Sequence, residues 1–123
     1  MGGGEVVTLQ VGQCGNQVGC RFWDLILREH VLHNRVGMFN QALSAYFTDA
    51  DARCGASSQD ARALRARAVL VDMEEGVVAA ALRGPLRTLF DRRQIVTNVS
   101  GSGNNWAHGH EVYGPVHRDV LVE

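Results

Sequence analysis

Three short apolar runs, each closing on a polar or glycine-containing loop that leads towards a helical pattern, constrain this chain most. The first, Val6-Val7-Thr8-Leu9-Gln10-Val11, is rich in β-branched residues and has the length of a buried strand. It ends in Gly12-Gln13-Cys14-Gly15-Asn16-Gln17. Val18, Phe22, Leu25 and Ile26 then recur at helical spacing, predicting a helix over 13–30 with those four turned inward. The second run, Arg67-Ala68-Val69-Leu70-Val71-Asp72, is followed by Glu74, Glu75 and Gly76 and by a helix over 77–83, stopped by Gly84-Pro85. The third covers 94–99 and enters Ser100-Gly101-Ser102-Gly103-Asn104-Asn105-Trp106. A last helical stretch starts near Tyr113, with Val116, Val120 and Leu121 on one side.

Continuous apolar strands bracketed by helices make an α/β chain with a parallel sheet. The loops of such a sheet gather outside the carboxyl ends of its strands, where ligands bind. A strand, a tight glycine turn and a helix together present free N–H groups to phosphate. Gln13, Asn16 and Gln17 add neutral donors and acceptors. The acidic turn at Asp72 and Glu74 can hold a hydrated Mg²⁺. Neither glycine loop spells GxxxxGK[ST] or GxGxxG, and all 12 basic residues are Arg. The pattern is that of a nucleotide site without a phosphate-binding lysine. On spacing alone, an ordinary strand-to-helix turn accounts for the first loop equally well.

With 123 residues there is room for one domain at most, and a net charge of −1 offers no attraction to nucleic acid or an anionic membrane. Three cysteines without a CxxC pair read as reduced thiols. No apolar stretch is long enough to span a bilayer, and the amino terminus reads as no signal peptide. Residues 31–62 form the least regular part, with a short strand at 45–48 and a polar loop over 49–60 that exposes Cys54. Cys14 reads as a small residue packed beside the ligand, the alternative being a nucleophile at a helix start. Trp106 reads as an anchor of its loop, and Glu75 as surface charge. Arg62, Arg65 and Arg67, like Arg92-Arg93, read as solvated edges, and His108, His110 and His117 as no metal site.

The stretches Val11–Gln17, Arg67–Glu74 and Ser100–Ala107 with Gly109-His110 closely resemble, in order and spacing, the amino-terminal part of a tubulin. Gly19-Cys20 before Phe22-Trp23-Asp24-Leu25, together with Glu75 and Ser102, resembles the epsilon branch of that family. Most tubulins carry Pro and Ala at the last two positions.

The resemblance implies the first part of a Rossmann-like GTPase domain, incomplete at its carboxyl end, over residues 1–123. It implies GTP and Mg²⁺ as cofactors. Gln13, Cys14 and Gln17 would meet the phosphates and nucleoside, Asp72 and Glu74 the metal side, and Gly101, Ser102, Gly103, Asn104 and Asn105 the terminal phosphate. No catalytic residue is implied, because the family takes its catalytic acid from the next subunit. The implied setting is cytoplasmic and cytoskeletal, at centrioles or another microtubule-organising centre. Other tubulin subunits, met head to tail, and centriolar or basal-body components are the implied partners, with no nucleic acid or membrane among them. The family's fourth glycine loop, its base-reading segments and its central helix have no counterpart here. The alternative is therefore a truncated interaction fragment, or an incomplete gene model, that binds no nucleotide. An unpaired sheet edge would make such a chain marginally stable.

Overall fold

The computed structural model describes residues 4–33, 41–50 and 64–122. Its centre is a parallel sheet in the order β1-β4-β5, made of β1 (Thr8–Val11), β4 (Ala68–Asp72) and β5 (Ile95–Thr97). Val11 pairs with Val71 and Asp72 with Thr97, so the three carboxyl ends lie side by side. The expected parallel α/β arrangement is present, with each strand shorter than its apolar run.

β2 (Phe47–Asp49) and β3 (Leu64–Ala66) form a separate antiparallel pair. Backbone bonds tie it to the main sheet: Arg67 N–H donates to Tyr46 O at 2.8 Å and Thr8 N–H to Arg67 O at 2.8 Å. Arg67 is therefore not a solvated edge. Its side chain, 20% exposed, pairs with Glu5 at 2.8 Å and donates through Nε to Ser44 O at 3.1 Å. Arg65 likewise donates to the carbonyls of Leu64 and Thr88, whereas Arg92 and Arg93 are exposed as expected. Arg62, Cys54 and most of the expected polar loop lie outside the described residues.

Helix α1 (Gly12–His33) follows β1 directly and runs three residues past its expected end. Its inward face is not the expected stripe. Asn16, Gly19 and Trp23 are buried, while Val18 and Leu25 are 63% and 60% exposed and Phe22 is at the surface. The cause lies in β1, whose inward position is the fully buried Gln10. A Cβ at Gly19 would lie 2.2 Å from Gln10 Cδ, so the helix docks through its smallest residue. Of the four expected inward residues, Ile26 packs against the core.

Short helix α2 (Gln41–Tyr46) leads into β2, and α3 (Glu75–Arg83) joins β4 to β5. The α3 end is closed by Gly84 N–H donating to Ala80 O and Ala81 O, with Pro85 next, as expected. The core gathers Trp23, Leu43, Phe47, Leu70, Val78, Leu89 and Phe90. Trp23 and Phe47 meet edge to face with centroids 5.3 Å apart, a favoured aromatic geometry.

The last helical run starts at Trp106, not near Tyr113. It comprises α4 (Trp106–His108), a π-helical segment (Gly109–Tyr113) and α5 (Gly114–Val122). Asn105 starts it, its side-chain oxygen accepting from His108 N–H at 3.2 Å. Among the described residues, no helix is long and apolar enough to cross a membrane.

Candidate functional site

At the carboxyl edge of the sheet lies a cavity of about 710 Å³. Residues 11–13 of the first loop, 71–74 of the second and 102–106 of the third line it, with Gly109 and His110 beyond. Of the expected site residues, Gln13, Asp72, Glu74, Ser102, Gly103, Asn104 and Asn105 meet there. Cys14, Gln17 and Gly101 are not in the lining. Cys14 and Gln17 are exposed at the start of α1. Gly101 is buried behind the cavity wall.

The first loop is fixed from within. Gly12 turns left-handed, at φ 74°, to pass from β1 into α1. Asn16, fully buried, donates through Nδ2 to Gly12 O at 2.9 Å and Val71 O at 3.2 Å. Its Oδ1 accepts from Gln10 Nε2 at 3.4 Å, and Gln10 Oε1 accepts from Trp23 Nε1 at 2.7 Å. Asn16 thus holds two strand ends together and does not offer its amide to a ligand. Gln10, Gly19 and Trp23 were not apparent as loop supports. A polar residue inside an apolar strand, with glycine and tryptophan on the following helix, was the available signal.

The third loop is shaped by backbone. Gly101, Gly103 and Asn104 have φ of 63°, 59° and 56°, and such left-handed turns collect N–H groups into an anion-binding concavity. Among the described residues, the N–H groups of Ser102, Gly103 and Asn104 make no hydrogen bond. Gly101 N–H donates to Met73 O at 2.9 Å. A Cβ at Gly101 would meet Glu74 Cγ at 2.8 Å, so the acidic and glycine loops are in contact.

The acidic loop is braced by Asp72 Oδ1, which accepts from Glu74 N–H at 3.0 Å. Among the described residues, Asp72 and Glu74 are the only carboxylates lining the cavity, and no Arg lines it. Among the described residues, no group of three His, Cys, Asp or Glu could hold a metal alone. That donor set fits Mg²⁺, which binds through one or two carboxylates plus phosphate oxygens and water.

Trp106 does not anchor the loop to the core. It is 77% exposed at the cavity wall, and its ring stacks on His110 with centroids 4.6 Å apart and planes inclined by 13°. Capping at Asn105 places Trp106 in the first turn, where its neighbour one turn on is His110.

Residues 5–121 match the family model described as Tubulin/FtsZ family, GTPase domain. The chain belongs to the tubulin family. It is 53% identical to the tubulin epsilon chain of Mus musculus and 52% identical to that of Homo sapiens, over 97% of its own length in each case. It is 39% identical to the tubulin beta chain of Encephalitozoon cuniculi over the same share. It spans 26% of the length of each of these tubulins. The described fold is accordingly the amino-terminal part of a tubulin GTPase domain, with its parallel sheet flanked by helices.

Proposed function

We propose that this chain is the phosphate- and metal-binding portion of an epsilon-like tubulin that takes GTP with Mg²⁺ and serves microtubule or centriole organisation. The observation that carries the reading is the convergence of three loops, two rich in glycine and one acidic, on one cavity outside parallel strand ends. In this reading the amides of Ser102, Gly103 and Asn104 cradle the terminal phosphate, with Gly101 behind them and Asn105 closing the loop. Gln13 meets the inner phosphates. Cys14 beside it, and Gln17 one turn further along α1, face the nucleoside. Asp72 and Glu74 hold the hydrated cation, which would offset the phosphate charge. No residue here is assigned a hydrolytic role. Other tubulin subunits, stacked head to tail, and centriolar or basal-body components are the proposed partners. The proposed location is the cytoplasmic cytoskeleton at a microtubule-organising centre.

Titration with fluorescent GTP in the presence and absence of Mg²⁺ tests the binding reading. Saturable binding that weakens at least tenfold on chelation, and again in Asp72→Asn, is expected. Binding that is absent, or indifferent to Mg²⁺, would leave the chain as an interaction fragment. That second reading has its own observation: Leu9 and Val11 on β1, and Val18 and Leu25 on α1, are all at least 60% exposed, leaving apolar side chains open to protein contact.

A further inference from the structure

Resting on that reading, we propose that Tyr113 is a positioning residue that aims the third loop at the terminal phosphate. Tyr113 belongs to the π-helical segment, outside the cavity lining, and its side chain reaches back beneath the loop. Its hydroxyl donates to Gly101 O at 3.0 Å and lies 2.6 Å from Ser100 Oγ, from which it accepts. The residue is 8% exposed, so this pair of bonds is shielded from competing water. π-Helical turns widen a helix by one residue and recur at functional sites. Here the extra residue accompanies the reach of the hydroxyl under the loop.

The consequence follows from peptide geometry. In a trans peptide the carbonyl and the next N–H point to opposite sides. Among the described residues no peptide bond is cis, so holding the Gly101 carbonyl on Tyr113 turns the Ser102 N–H the other way. Ser102 lines the cavity and Gly101 does not, so the opposite side is the ligand's side. The other end of Gly101 is fixed as well, by its N–H on Met73 O. The glycine is thus clamped between the acidic loop and Tyr113. The clamp places one free amide where a terminal phosphate oxygen would sit, while leaving the inner phosphates to other residues. Tyr113 touches no ligand; it acts through Gly101.

The test is Tyr113→Phe, which keeps the ring and removes only the hydroxyl. It is read in this chain, with labelled GTP and GDP in Mg²⁺. Losing one shielded hydrogen bond should weaken GTP about threefold to tenfold while GDP changes less than twofold. Amide exchange at Gly101, whose N–H is bonded to Met73 O, should rise by a similar factor without nucleotide. Ser100→Ala, which leaves the Tyr113–Gly101 bond in place, should retain most of the preference for GTP over GDP. Equal loss of GTP and GDP in Tyr113→Phe, or unchanged binding of both, would overturn the proposal. Failure of the unsubstituted protein to bind either nucleotide would overturn the functional reading, and the tyrosine's role with it. The unsubstituted arm alone separates those two failures.

Discussion

The two glycine loops bordering the cavity do related work and are held in opposite ways. The first is secured by side chains that are themselves core: Trp23, Gln10 and Asn16 form one buried relay ending on the carbonyls of Gly12 and Val71. The third is secured by left-handed backbone, one backbone bond to Met73 and a tyrosine hydroxyl. A loop built into the core cannot shift without loosening the fold. A loop resting on left-handed backbone and a few hydrogen bonds can respond to what occupies the cavity. The difference separates a fixed wall from an adjustable one.

The largest break in that comparison should come from Trp23→Ala. It removes a fully buried ring and strands the Gln10 carbonyl, and should lower global stability by about 3–5 kcal/mol in chemical denaturation. Gly19→Ala comes next, because the new methyl meets Gln10; a loss of about 1–3 kcal/mol is expected. Gly101→Ala should behave differently. At φ 63° and against Glu74, the methyl should abolish nucleotide binding while costing about 1–2 kcal/mol of stability. If it unfolds the protein as deeply as Trp23→Ala, the two loops are not held differently.

The smallest effect sharpens the comparison along α1. Burial raises the Cys20 thiol above its ordinary value near 9.0, whereas Cys14 is exposed beside the first loop. Mass mapping after brief alkylation should find Cys14 modified well before Cys20. The native state therefore keeps the Cys20 proton where an unfolded chain releases it. The associated stability is present below pH 9 and declines as pH rises beyond it.

The sequence made the cavity's composition legible because strand ends in a parallel sheet must converge. Seven of the ten expected site residues line one cavity for that reason. The face of α1 was not legible, since periodicity counts apolar residues, whereas docking was decided by Gly19 fitting over Gln10. The start of the last helical run was hidden by Gly109, although Asn105 ahead of Trp106 is an ordinary capping signal. Arg67 was misplaced because its enclosing partners, Glu5 and the Ser44 carbonyl, lie far from it in the sequence. Tyr113 carried no signal at all, because its role depends on contacts with Ser100 and Gly101 that only the folded chain brings beneath it.

The two tryptophans occupy opposite optical environments. Trp23 is sealed, with its indole N–H bonded to an amide, while Trp106 stands 77% exposed with an imidazole stacked on its face. Iodide should quench the emission of Trp106 and spare that of Trp23, leaving two separable signals in one spectrum. The cavity wall therefore carries its own dye, and ligand arrival can be followed by intrinsic fluorescence against an internal standard fixed in the core.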